Sequence, residues 1–96
     1  MRVLNKWKED WPVGAVNIMR PGLFGNPYQV GRDGDRDEVL KKHLDYLRKR
    51  IEFDQEFKLS VKQLFGHDLV CICKPFNCHG DNLKLVCEEL NGTQAE

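Results

Sequence analysis

The chain has no excess charge of either sign, no long apolar run and no internal repeat. Fifteen basic and fifteen acidic residues cancel over its 96 positions, so no global positive field drives nonspecific binding to nucleic acid or to an anionic membrane. No stretch approaches the roughly 18 apolar residues of a membrane span. The opening Met1-Arg-Val-Leu-Asn-Lys-Trp-Lys8 turns polar too early to hold a signal-peptide apolar region. The expectation is a cytoplasmic protein without a membrane partner, in which nucleic acid is not favoured. One domain is expected over residues 1–90, with a flexible tail at 91–96, because a chain this short buries only somewhat over about 60% of its unfolded surface and leaves no room for a second core.

Cysteine is scarce as well. The four cysteines, without an export signal, point to reduced thiols or a metal rather than to two disulfides. Three of them fall in ten residues, Cys71-Ile-Cys-Lys-Pro-Phe-Asn-Cys-His-Gly80. The fourth, Cys87, recurs with Leu83 and Leu90 at helical spacing and reads as a small core residue.

The elements follow from periodicity. Val3-Leu4 and Ala15 to Ile18 read as two short strands, able to neighbour each other across Trp11-Pro12. From Arg20 to Asp37 the chain is rich in Gly, Pro and charge, which predicts a long loop, with a short strand around Tyr28 to Val30. Loops of that length in small domains are usually functional or mobile. Asp35 with Glu38 three residues on forms a capping-box pattern that starts a helix. Leu40, Leu44, Leu47 and Ile51 supply its apolar stripe, with His43 at the boundary or surface beside it. Phe57, Val61 and Leu64 predict a second helix ending near Phe65, with Gly66 as terminator. Leu69-Val-Cys-Ile-Cys73 is a buried strand, and Leu83, Val86, Cys87 and Leu90 predict a last helix that begins at His79. This order predicts an α/β fold: a small domain with a short mixed or parallel sheet flanked by about three helices.

Four segments together carry a family resemblance: the early Val-Leu-Asn strand, the Arg-Pro before Gly25-Asn-Pro27, the Gly31-Arg-Asp-Gly-Asp-Arg36 turn, and the Asp68 to Gly80 block. The chain resembles the uncharacterised domain family 4326 over roughly Val3 to Leu90. The resemblance implies a domain of unknown function found in bacteria, archaea and their viruses, including bacteriophage. Met19 stands where a Gly commonly precedes the Arg-Pro, and Ile72 where a Trp often separates the first two cysteines. The cysteine block is also similar to a shorter pattern in another uncharacterised α/β family, number 488, with Gly80 in place of an Arg. Neither resemblance implies a reaction, so the chemistry rests on the side chains.

Three chemistries compete for the cysteine corner. In a catalytic reading, Cys78 is a nucleophile favoured by the positive end of the last helix, and His79 or His67 is its base. In a metal reading, Cys71, Cys73, Cys78 and His79 or His67 hold zinc, although Cys-x-Cys departs from the two-to-four-residue gap of common zinc sites. In a binding reading, Gly25 and Gly80 allow close backbone approach and Asn26 offers both a donor and an acceptor. Arg20, Arg32, Arg36 and Lys74 then supply positive charge for a nucleotide-like or other anionic ligand. Asp33, Asp35, Asp37 and Glu38 load the first long helix start with negative charge, which makes the Cys78 to Gly80 turn the better anion site.

The leading reading is a small-molecule-binding domain, with turnover left open, whose Gly-Asn-Pro loop and Cys-His helix start line one cavity. The alternative is a zinc-stabilised nucleic-acid or protein-interaction module, including a viral factor that contacts a host protein through Trp7, Trp11, Phe24 and Tyr28.

Overall fold

Three short strands form an all-parallel sheet in the computed structural model, which describes residues 1–7, 10–72 and 78–92. β1 spans Val3–Asn5, β2 Val16–Asn17 and β3 Leu69–Cys71. The Asn5 side chain accepts the Trp7 N–H at 2.8 Å, and Asn17 accepts the Met19 N–H at 2.8 Å. Each asparagine thereby bends the backbone two residues on and closes its strand.

The strand order is β1-β3-β2. Val3 and Val16 both lie level with Leu69, on opposite edges of the central strand. The strand order, which the sequence leaves open, separates β1 from β2: β3, made from the last third of the chain, lies between them. The reason is hydrogen-bonding capacity, since a parallel strand that is central satisfies both of its edges. Leu69 N–H donates to Arg2 at 2.7 Å on one side, and Ile18 N–H donates to Val70 at 3.1 Å on the other. A brace locks the start of the β1–β3 pair, where Asp68 accepts from the Arg2 backbone and guanidinium, both at 2.9 Å. Those bonds hold the Asp68 carboxyl below the usual carboxylate range.

The helices are α1 Arg36–Phe53, α2 Gln55–Lys62 and α3 His79–Leu90. Asp35 caps α1 with the reciprocal Glu38 contact that the sequence predicts. Asp54 ends α1 through its backbone and starts α2 through its carboxylate, which accepts the Phe57 N–H at 3.0 Å. After α2 the chain turns through Gly66 at φ +85°, a conformation suited to glycine. Asn91 closes α3, its side chain donating to the Cys87 carbonyl at 2.8 Å. Of the expected tail, residues 93–96 lie outside the described residues.

The core forms where the helices pack on one another and α3 packs on β3. Leu47, Phe57, Val61, Leu64, Leu69, Leu83, Val86 and Cys87 are all buried in it, with Ile18 just beyond β2. Burying such side chains is the main stabilising contribution, about 1.5–3 kcal/mol each. Cys87 takes its expected place there, and burial pushes its thiol up from the ordinary value.

Two expectations are corrected. No strand forms around Tyr28 to Val30, because the Asp33 carboxylate captures the Gln29 N–H at 2.9 Å and Gly31 N–H donates to Gly34 at 2.8 Å, which folds the segment into a turn. His43 is not a surface or boundary residue. It is 1% exposed, on an inward face with Val39 and Leu47 at four-residue spacing.

Candidate functional site

Beyond the carboxyl ends of β2 and β3 lies a cavity of about 290 Å³, in the position where ligands bind in open parallel α/β sheets. The loop after β2 contributes Met19, Arg20, Asn26, Tyr28 and Gln29 to its wall. Opposite them stand Cys71 and Ile72, at the end of β3, and His79, at the start of α3. Arg36, Val39 and Leu40 of α1 close the remaining side. The glycine-asparagine-proline segment and the thiol-imidazole corner thus face one space.

Each wall is held by local bonds. Asn26 accepts the Tyr28 N–H at 2.9 Å, so its carboxamide oxygen is committed to the turn and its NH₂ is what it can offer a ligand. Gly25 is required by close approach, since a Cβ there would stand 2.9 Å from the Arg20 Cα. Arg32 pairs with Asp33 at 2.8 Å and donates to the Pro27 carbonyl at 2.8 Å. It organises the loop rather than lining the cavity. The Asp33 carboxyl is held below its usual range, first by the Gln29 backbone bond and then by Arg32.

The corner itself is buried. Cys78 and His79 are 1% and 7% exposed. The Cys71 and Cys78 sulfurs are in contact at 2.6 Å. His79 Nε2 lies 2.7 Å from the Ile18 carbonyl oxygen. A carbonyl only accepts, so Nε2 carries a ring proton, and in the neutral ring Nδ1 then presents its lone pair to Cys78 Sγ, 3.6 Å away. Cys78 is also the N-cap of α3: its sulfur accepts the Gly80 N–H at 3.4 Å, and its own N–H donates to Asp81 at 3.1 Å. The Cys78 and Gly80 N–H groups are thus engaged within the helix start, and Arg20 and Arg36 are the basic side chains among the residues that line the cavity. Gly80 serves packing, since a Cβ there would stand 2.8 Å from Ile18 and 2.9 Å from Val3.

Behind His79 lies a partner that the sequence reading missed. The His43 ring stands edge-on to it at 5.4 Å between centroids. Asn82 reaches across from α3, donating to His43 Nδ1 at 3.1 Å and to the Leu40 carbonyl at 2.9 Å. Burial, and then the neighbouring His79, push His43 down to about 3, so it is neutral near pH 7. The available signal was the four-residue spacing of Val39, His43 and Leu47, which an apolar-only stripe passes over.

His67 is not with the thiols. It is exposed at the other end of β3, with Nδ1 2.8 Å from the Gly14 carbonyl oxygen. Lys74 and Cys73, expected for ligand and metal respectively, lie outside the described residues. Among the described residues, no group of three or more His, Cys, Asp or Glu side chains is placed to hold a metal ion. None of the described helices is long and apolar enough to cross a membrane.

With the geometry established, comparison with known proteins assigns the family. A family model described as "Domain of unknown function (DUF4326)" matches residues 3–89. The chain belongs to the DUF4326 family. A relative of this DUF4326 chain is the "Uncharacterized 12.4 kDa protein in nrdA-td intergenic region" of Enterobacteria phage T4, 40% identical over a 93-residue alignment that covers 93% of this chain and 79% of the phage protein. No solved structure matches the chain.

Proposed function

We propose that this DUF4326 chain binds a small anionic, nucleotide-like molecule in the cavity between the 19–30 loop and the Cys-His corner. The observation that carries the reading is that Arg20, Asn26 and Arg36 line one cavity together with Cys71 and His79. Two guanidiniums and a carboxamide NH₂ are donors suited to a phosphate or carboxylate, and Arg geometry allows paired hydrogen bonds to either. Apart from Gln29, the remaining wall is mostly apolar or aromatic, through Met19, Tyr28, Val39, Leu40 and Ile72, and suits a flat ring. The cytoplasm is the natural setting, where thiols stay reduced.

Calorimetric titration with nucleoside monophosphates, and with inorganic phosphate as the minimal anion, tests the reading. Saturable binding that falls at least tenfold in Arg20→Ala is the expected result. Equal, negligible heats from wild type and variant would remove the reading.

A second reading, a protein-contacting module, draws on Trp7, which is 75% exposed, and on Trp11. Phe24 does not join them, because it packs against Phe57 at 6.2 Å between ring centroids.

A further inference from the structure

The cavity wall contains a pair of sulfurs that anion binding alone does not use. Cys71 and Cys78 carry thiols whose Sγ atoms are 2.6 Å apart, within a small side-chain rotation of the roughly 2.05 Å of a disulfide. They come from different elements, the end of β3 and the N-cap of α3. Their environments are unequal: Cys71 belongs to the cavity wall, whereas Cys78 sits behind it, against His79 Nδ1 and the Gly80 N–H. Cys71, 1% exposed, is therefore the thiol nearer to whatever occupies the cavity. The other is placed where negative charge is favoured, by a helix start and a basic ring nitrogen.

We infer that Cys71 and Cys78 form a redox-active dithiol that exchanges with a small disulfide-bearing molecule admitted to the cavity, carboxylate-bearing disulfides being favoured by Arg20 and Arg36. The inference rests on the reading of this cavity as an anion-binding ligand site. In the first step Cys71 attacks one sulfur of the substrate disulfide. A Cys71–substrate disulfide forms, the substrate S–S bond breaks, and the departing thiolate takes the Cys71 proton. In the second step Cys78 attacks the Cys71 sulfur, forming the Cys71–Cys78 disulfide and releasing the second substrate thiolate. The Cys78 proton passes through His79 Nδ1, whose orientation the Ile18 carbonyl holds, and ends on that thiolate. The protein dithiol loses two electrons and two protons, and the substrate disulfide gains them as two thiols.

Cys87 takes no part in this chemistry, because it does not line the cavity and its sulfur lies against the Lys62 carbonyl at 3.8 Å. The test uses a Cys73→Ser/Cys87→Ser chain, so that only the pair is counted, with wild type alongside. The probes are dithiobis(nitrobenzoate), a dianionic aromatic disulfide, and neutral dithiodipyridine. The expected result is release of about two leaving thiols per chain and an intact mass lower by two hydrogens, with no retained adduct. Cys78→Ser, which keeps an N-cap hydroxyl, should release about one and stall as an adduct on Cys71. Retained adduct in the chain with both thiols, or identical behaviour of Cys78→Ser and its parent, would overturn the dithiol. Preference for the dianionic probe should shrink about tenfold in Arg20→Gln. Equal rates for both probes in the parent, with the Cys78→Ser stall intact, would overturn the anion reading of the cavity and leave the dithiol standing.

Discussion

The His79 ring stands edge-on to that of His43 with 5.4 Å between centroids, and the two come from helices far apart in the chain. His43 is neutral in this packing because a buried charge beside a second imidazole is costly. In the unfolded chain it takes up a proton near pH 6.5, whereas in the folded protein it resists until about pH 3. The unfolded state therefore binds more protons over that window. Stability contributed by neutral His43 is complete above about pH 6.5 and is lost as the pH falls toward 3, by on the order of 3–5 kcal/mol. Urea denaturation between pH 7.5 and pH 4 should show this slope, and His43→Gln should flatten it at some cost in stability near pH 7.

Gly80 tests how closely α3 packs on the sheet. In an unobstructed helix, alanine is better than glycine by about 0.5–1 kcal/mol. Here the new Cβ would meet Val3 at 2.9 Å and Ile18 at 2.8 Å, and the branched Val3 side chain has little freedom to yield. Gly80→Ala should lower stability by about 1–2 kcal/mol, read as a lower urea midpoint with an unchanged slope.

Gly25 tests the loop instead. Its substitution by alanine crowds the Arg20 backbone, so Arg20 must move relative to the cavity. The segment is partly exposed, and the expected change in stability is within about 1 kcal/mol. Anion affinity should fall about tenfold through the displaced guanidinium. A calorimetric titration of Gly25→Ala paired with a melting curve separates the two effects.

Asp35→Ala removes the reciprocal cap of α1. A loss of about 1 kcal/mol is expected, together with faster amide hydrogen exchange confined to the first turn of the helix. Uniformly faster exchange over α1 and α3 would assign Asp35 a wider role than capping.

The helices were legible because their signals are local. Asp35 and Glu38 cap α1 as their spacing requires, and Phe57, Val61 and Leu64 are buried as their period requires. The strands are two or three residues long and hold no register information of their own, so the insertion of β3 between β1 and β2 was not readable. The same holds for the turn at Gln29 to Gly34, where an aspartate side chain competes successfully with strand pairing for backbone donors. At the site, Arg20 and Asn26 reach the cavity with Cys71 and His79, whereas Gly25, Arg32 and Gly80 serve the geometry around it. The depth of His43 was signalled only by its four-residue spacing from Val39 and Leu47, and its partners Asn82 and His79 arrive from another helix that no local pattern connects to it.

The middle position of β3 also governs the order in which the molecule can assemble. Val3 waits for Leu69, and Val16 waits for the same residue, so neither outer strand finds its pairing partner until the chain has been made as far as Leu69. Helix α1 can form much earlier from its own cap. Sheet closure is thus a late, long-range event in folding, and its rate is set by bringing β1 and β2 to a strand more than fifty residues further along the chain.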